Sequence, residues 1–238
     1  MKFTKFVSAA ALAGLVATGG VVGAAQAQAV QPAPEIVGGS VANYSSVPYA
    51  TQLYVNGQFN CTSSLISSTW VLTAKHCVGG TVSVRVGSGA LGQGTLISSK
   101  RVVTWSGGDL ALVELSSPYN TTFAKLGASN PSQGTLGRIY GWGRETTNGP
   151  AAPNLKTAQV EVAGLDTDAY GGVAIGHYGV DGQAWKGDSG GPLVINGKVV
   201  GVASTSGSGG TDPNADSYYT SVPNGASWIS SVSGVSAS

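Results

Sequence analysis

The chain has 238 residues and is almost uncharged overall, with 12 Lys and Arg against 11 Asp and Glu and a formal net charge of +1. A hydrophobic content of 42% and a charged content of only 10% exclude an intrinsically disordered chain and a coiled coil. The sequence has no basic tract that would bind a phosphate backbone, so we expect no nucleic-acid partner.

The first 29 residues have the pattern of a secretory signal peptide. Lys2 and Lys5 precede a long apolar run, and the small-residue segment AQAQA then offers cleavage after Ala27 or Ala29. Glycines interrupt the run and no basic stop follows it, so the pattern favours cleavage over anchoring. We therefore expect a secreted, extracellular protein that has no membrane contact after the signal is removed.

Removal of residues 1–35 leaves a neutral chain with ten basic and ten acidic side chains. A neutral surface without a charged stripe gives no reason to expect assembly, so we predict a monomer. The chain contains only two cysteines, Cys61 and Cys77, and an even pair in an exported protein predicts a disulfide.

From residue 50 onward the sequence is a series of short alternating segments rich in Val, Thr, Tyr and Ile, which predict β-strands. Examples are ATQLYV (50–55), TVSVRVG (81–87), TLGRIYG (135–141) and KVVGVAS (198–204). Asn196-Gly197 between apolar runs predicts a tight hairpin. Helical periodicity is confined to residues 224–233, a predicted terminal helix. The pattern predicts an all-β fold of antiparallel barrels or sandwiches.

Ser189 lies among glycines in the stretch GDSGG (187–191). A serine hydroxyl becomes a useful nucleophile when a base takes its proton and donors wait for the oxyanion formed on the substrate. Because Gly187 has no Cβ, the amides of Gly187 and Ser189 can point into the same space. Ser189 is therefore the candidate nucleophile, and these two amides are the candidate oxyanion hole.

The sequence offers two histidines as the base. His76 ends an apolar strand beside Cys77, whereas His177 lies in the glycine-rich stretch IGHYGVDG and is predicted to be a loop histidine. Asp109 is the first carboxylate after residue 35 and opens the apolar run DLALVEL. Carboxylates rarely enter such a run unless they are paired, so Asp109 is the candidate acid that orients His76.

Five segments occur in the order and spacing of the chymotrypsin/trypsin family, which the chain resembles over essentially all of residues 36–238. They are IVGG (36–39), LTAKHC (72–77), DLALVEL (109–115), GWG (141–143) and GDSGGPL (187–193). The resemblance implies two antiparallel six-stranded β-barrels and a short C-terminal helix, with the first barrel at about 36–130 and the second at about 131–238.

The family resemblance also implies a serine endopeptidase that works through an acyl-enzyme. Ser189 would be the nucleophile, His76 the base and then the acid, and Asp109 the orienting group. Protein or peptide substrates are the implied partners, and proteinaceous inhibitors are a second class to test. We expect no cofactor. The calcium loop of animal members needs carboxylates that residues 77–108 lack, so we expect no metal.

In this family the acid before the nucleophile pairs with a new α-amino group after proteolysis. Here Asp188 would pair with the amino group of Ile36 once the chain is cut after Glu35. Loss of one partner of such a buried pair costs about 3 to 5 kcal/mol. The resemblance therefore implies a zymogen whose propeptide is residues 30–35.

Gln183 stands where trypsin-like members carry the aspartate that attracts Lys or Arg, so strict tryptic specificity is not expected. Side chains at two usual glycine positions would also narrow the primary pocket. The predicted substrate-binding set is Gln183, Lys186, Ser204, Ser206 and Ser217.

Three alternatives remain for the residue before the scissile bond. A narrowed neutral pocket favours small or medium uncharged side chains, whereas Gln183 and Lys186 could hydrogen-bond an acidic one. A basic preference through Asp181 is the third alternative.

Two wider questions concern the source and the activity. The single predicted disulfide and the compact chain are similar to those of bacterial, especially actinobacterial, trypsin-like proteases. A catalytically inactive, protease-like binding module is the alternative function, and it is disfavoured because His76, Asp109 and Ser189 are all present.

Overall fold

The computed structural model describes residues 36–238, so the predicted signal peptide and propeptide lie outside the described residues. These residues form an almost entirely β structure with one α-helix. The first strands are β1 (Val37–Gly38), β2 (Ser40–Val41), β3 (Ala50–Val55), β4 (Gln58–Leu65), β5 (Trp70–Thr73), β6 (Val82–Val86), β7 (Thr95–Thr104) and β8 (Ala111–Leu115). The later strands are β9 (Lys125–Leu126), β10 (Leu136–Gly141), β11 (Lys156–Thr167), β12 (Val173–Gly179), β13 (Gly182–Gln183), β14 (Pro192–Ile195), β15 (Lys198–Ser206) and β16 (Asp216–Ser221).

Strands β3 to β8 close into a six-stranded antiparallel barrel in the order β3-β4-β5-β8-β7-β6. Residues on β6 show why the barrel forms, since Val82, Val84 and Val86 are buried while the residues between them are half-exposed. This period of two places every second side chain inside. Leu53, on the neighbouring strand β3, is fully buried in the same core.

The second barrel contains β10, β14, β15, β16, β12 and β11, and the pairing of β10 with β11 closes it. The predicted hairpin at Asn196-Gly197 joins β14 to β15, and both residues have positive φ values, 51° and 73°. These values are those of the turn type that suits the twist of antiparallel strands. The predicted fold of two antiparallel six-stranded barrels is confirmed.

The two ends of the described chain cross between the barrels. Strand β2 pairs with β11 and so extends the sheet of the second barrel, whereas β1 pairs with β13 in a separate two-stranded sheet. The C-terminal helix α1 (Val222–Ser233) begins at the N-cap Ser221 and ends at Gly234. Trp228 on this helix stacks on Trp105, with ring centroids 6.1 Å apart. The predicted terminal helix is confirmed, and within residues 36–238 no helix is long and apolar enough to cross a membrane.

Candidate active site

The loop that carries Ser189 is held by a strand of the other barrel. Thr62 on β4 donates its backbone N–H to the carbonyl oxygen of Ser189 at 2.9 Å and its hydroxyl to the carbonyl oxygen of Gly187 at 2.9 Å. The same hydroxyl accepts a hydrogen bond from the backbone N–H of Trp142 at 3.2 Å. Thr62 therefore fixes the serine loop to the first barrel, and no sequence motif pointed to it.

The amides of Gly187 and Ser189 donate to no other group among residues 36–238. Gly187 has a φ of +102°, and a Cβ at this position would lie 3.0 Å from the Cα of Gly143. Only glycine adopts this conformation without strain. Two N–H groups of the serine loop are thus left without an acceptor among residues 36–238, as an oxyanion hole requires.

His76 and Asp109 are joined by two hydrogen bonds. His76 Nδ1 lies 2.7 Å from Asp109 Oδ2, and the backbone N–H of His76 donates to Oδ1 at 3.0 Å. The buried carboxylate also accepts the hydroxyl of Ser204 at 2.6 Å. Because an ionised carboxylate can only accept, the network assigns the ring proton to Nδ1 and leaves the lone pair on Nε2.

The predicted disulfide fixes the turn that presents His76. His76 lies in a short 3-10 turn, Lys75–Cys77, directly after β5. The bond between Cys61 and Cys77, whose Cα atoms are 6.1 Å apart, ties this turn to β4. The two sulfurs lie near His76, but a disulfide has no thiolate to offer a metal ion.

His76 and Ser189 line one cavity of about 430 Å³ between the barrels. His76 follows β5 of the first barrel, and Ser189 precedes β14 of the second. Each barrel therefore contributes one of the two residues to the cavity. Gly187 lines the same cavity, as do Phe59 and Arg144. The candidate nucleophile, the candidate base and a residue of the candidate oxyanion hole thus line one space, as acyl transfer requires.

Comparison with known proteins supports the same chemistry. The family profile described as Trypsin matches residues 36–229. The chain belongs to the trypsin family. Similar proteins include "Trypsin" of Xenopus laevis, 35% identical over 82% of this chain and 89% of the relative, and "Trypsin I-P1" of Gallus gallus, 34% identical over 82% and 88%. "Serine protease 1" of Rattus norvegicus is 32% identical over 87% of this chain and 94% of the relative. The chain is a serine endopeptidase, a hydrolase that acts on proteins.

Ser189 also lines a second, smaller cavity. Its volume is only about 100 Å³. The hydroxyl of Ser206 donates to the carbonyl oxygen of Ala184 at 2.6 Å, so this side chain lies across the cavity wall. The lining residues are Ala184, Trp185, Lys186, Ser189, Ala203, Ser204, Thr205 and Ser206. This lining includes Lys186, Ser204 and Ser206, three of the residues predicted to bind substrate.

Gln183 and Ser217 do not line this cavity, although the sequence analysis included them in the substrate-binding set. Both are fully buried. Gln183 Nε2 donates to the carbonyl oxygen of Ala215 at 2.7 Å, and its Oε1 accepts the backbone N–H of Ala184 at 2.8 Å. Both polar atoms of the Gln183 amide are therefore hydrogen-bonded within the protein, and one of these bonds holds Ala184, which lines the cavity. Asp181 also faces away, since its carboxylate accepts the backbone N–H of Gln159.

The prediction that His177 is a loop histidine is wrong. His177 lies on β12, which pairs on one side with β11 and on the other with β16. Its ring is fully buried, with its centroid 4.7 Å from that of Tyr219, and Nδ1 lies 3.5 Å from Gln183 Nε2. Burial lowers the pKa of His177 to about 3, so the ring is neutral. The glycines around it suggested a loop, but the strand ladder satisfies their backbone groups.

Asp188 is buried, and its carboxylate accepts two backbone hydrogen bonds. The donors are Gly143 N to Oδ1 and Trp185 N to Oδ2, both at 2.8 Å. A Cβ on Gly141 or Gly143 would overlap this carboxylate, which explains the glycines of GWG. Burial raises the pKa of Asp188 to about 7, against the opposing effect of the two hydrogen bonds.

The segment that begins at Ile36 lies beside the Asp188 loop. Ile36 is fully buried in the core of the second barrel, in the same cluster as Ala184 and Tyr219. Val37 pairs directly with Gln183, five positions before Asp188. The first described residues of this trypsin-family domain therefore already occupy the interior next to the serine loop.

Proposed function

We propose that this chain is a secreted serine endopeptidase in which Ser189 attacks the scissile carbonyl. The cavity lined by both His76 and Ser189, with His76 Nδ1 2.7 Å from Asp109, is the observation that carries this proposal. As the Ser189 oxygen bonds to the carbonyl carbon, its proton moves to His76 Nε2. The imidazolium that forms is stabilised by Asp109.

The remaining steps follow from the same groups. The carbonyl electron pair becomes an oxyanion, which accepts hydrogen bonds from the amides of Gly187 and Ser189. When the intermediate collapses, the carbon–nitrogen bond breaks, and His76 gives its proton to the leaving amine. Water, activated by His76, then attacks the Ser189 ester and releases the acid product.

The chain is made as a zymogen that is activated by cleavage after Glu35. Two observations support this proposal: Ile36 is buried beside the serine loop, and Asp188 is a buried carboxylate whose pKa burial raises. The ammonium released at Ile36 would supply the cation that such a carboxylate favours. Residues 1–29 act as the signal peptide and 30–35 as the propeptide of this secreted, monomeric enzyme.

The residue before the scissile bond is small and uncharged. The cavity of about 100 Å³ beside Ser189 and the hydroxyl of Ser206 across its wall support this choice. An acidic side chain would rely on Gln183, whose amide is already hydrogen-bonded inside the protein. A basic side chain would rely on Asp181, which binds Gln159 instead. The similarity to actinobacterial proteases stays a prediction, since the relatives named above come from frog, chicken and rat.

Active-site labelling tests the function directly. A fluorophosphonate should label the chain cut before Ile36, and Ser189→Ala should abolish both labelling and peptide hydrolysis. Ser116→Ala, which changes an exposed serine on the first barrel, is the matched control and should retain both. A correctly folded, cut parent that neither reacts nor hydrolyses peptides would contradict the proposal and favour the inactive binding module.

A further inference from the structure

Asp168 is a nearly buried carboxylate, 8% exposed, in the turn between β11 and β12 of the second barrel. It accepts four hydrogen bonds. Tyr170 N and Gly172 N donate to Oδ1, both at 2.8 Å. The hydroxyl of Thr220 donates to Oδ2 at 2.9 Å, and the backbone N–H of Asp109 donates to the same oxygen at 2.8 Å. Asp168 thus connects the second barrel to the backbone of the acid on the first.

The turn of residues 168–172, called the Asp168 turn below, also reaches the carboxylate of Asp109. Ala169 N donates to Ser204 Oγ at 3.1 Å, and Ser204 Oγ donates to Asp109 Oδ2 at 2.6 Å. A hydroxyl has a single proton, so accepting from Ala169 leaves that proton for Asp109. The Asp168 turn therefore constrains both ends of Asp109: directly at its backbone N–H, and through Ser204 at its side chain.

The contact between the Asp168 turn and the first barrel is close. A Cβ on Gly172 would overlap the carbonyl oxygen of Gly107, and a Cβ on Gly108 would lie 2.6 Å from Asp168 Oδ2. Tyr170 contacts the residue before His76, since Lys75 Nζ lies 4.4 Å from the centre of its ring. The turn therefore packs against the segments that carry both Asp109 and His76.

Asp168 is also an acceptor that remains charged. Burial by itself raises the pKa of Asp168, but the hydrogen bonds from three backbone amides and from Thr220 outweigh it and hold the pKa below its ordinary value. A hydrogen bond to an ionised acceptor is about twice as strong as one between neutral groups. The hydrogen bond from the backbone N–H of Asp109 to Asp168 is therefore stronger than one to a neutral acceptor such as a backbone carbonyl.

We propose that Asp168 is a positioning residue for the reaction, holding Asp109, and through it His76, in place across the barrel interface. This inference rests on the proposed function of His76, Asp109 and Ser189. Asp168 lines neither of the two cavities at Ser189, so its loss should slow the chemical step without weakening substrate binding.

The test compares two Asp→Asn variants of the chain that begins at Ile36. Asp168→Asn keeps the shape, and its amide nitrogen is best accommodated beside Thr220, whose hydroxyl can accept as well as donate, so the hydrogen bond from the backbone N–H of Asp109 fails. We expect kcat to fall about 30-fold with KM within about twofold, since a small misplacement of catalytic groups can cost up to about 100-fold. Asp166→Asn makes the same change of charge on an exposed residue of the adjacent strand and should leave both constants unchanged.

A second readout separates positioning from general loss of stability. The proton on His76 Nδ1 should give a low-field NMR resonance that shifts or broadens in Asp168→Asn but not in Asp166→Asn. If Asp168→Asn does not fold, Thr220→Val, which removes one donor to the oxygen that holds Asp109, should lower kcat about threefold. If the parent is active and kcat is unchanged in Asp168→Asn, the inference is overturned and the proposed function stands. Where Asp168→Asn does not fold, unchanged kcat in Thr220→Val has the same meaning. A folded parent without hydrolysis or fluorophosphonate labelling overturns the proposed function, and the inference with it.

Discussion

Cleavage before Ile36 should change how the stability of the fold depends on pH, because it provides a cation for Asp188. In the continuous chain, burial raises the pKa of Asp188 from 3.8 to about 7. The native state therefore holds this proton more tightly than the unfolded state does. Stability is greatest below the unfolded pKa and is lost as the pH rises through the folded pKa.

The size of the effect follows from the shift of about three pKa units. Each unit corresponds to about 1.36 kcal/mol, so the continuous chain should lose about 4 kcal/mol of unfolding free energy between pH 4 and pH 8. In the cut chain the α-ammonium of Ile36 stabilises the carboxylate and lowers the pKa of Asp188 again. The cut chain should therefore lose much less unfolding free energy between pH 4 and pH 8. His177 and Asp168 are also buried, but their contribution to the pH dependence should be similar in the cut and continuous chains.

Urea unfolding of two forms of one protein measures the difference. The Ser189→Ala background prevents self-digestion, and a recognition sequence for a site-specific protease before Ile36 allows clean cutting. Unfolding free energies are compared across the pH range before and after cutting. Asp188→Asn in the continuous chain is the control and should lose the pH dependence assigned to Asp188. Parallel pH profiles for the cut and continuous forms would refute the pairing of Ile36 with Asp188.

Three further changes test individual contacts. Thr62→Val leaves the carbonyl oxygen of Gly187 unpaired, so it should lower the unfolding free energy by about 3 kcal/mol and also lower kcat, whereas Thr62→Ser should resemble the parent in both. Ser206→Gly should raise kcat/KM for leucine relative to alanine before the scissile bond by about 10-fold or more in a peptide library; an unchanged ratio would contradict the proposed cavity. Replacing Cys61 and Cys77 together with serine should cost about 3 kcal/mol in urea unfolding, and equal stability would argue against the disulfide's role.

The sequence predicted turns and backbone conformations that are determined by residues adjacent in the chain. Asn196-Gly197 predicted its hairpin because the turn needs positive φ at both positions, and both residues have it. Gly187 marked a backbone conformation that other residues avoid. The same reasoning failed at His177, where glycines lie within a paired strand and burial follows from the closed barrel. Composition around a residue does not reveal whether a sheet closes over it.

The contacts that no motif revealed are those that join the two barrels at the site. Thr62 binds the carbonyl oxygen of Gly187, 125 positions later, and Asp168 binds the backbone of Asp109, 59 positions earlier. No sequence motif reveals either contact, because in each pair the two partners lie on different barrels and far apart in the sequence. His76 and Ser189 also come from different barrels, so the distance between them depends on how firmly the barrels are joined. Side chains at this interface should therefore affect the rate even where they never touch the substrate.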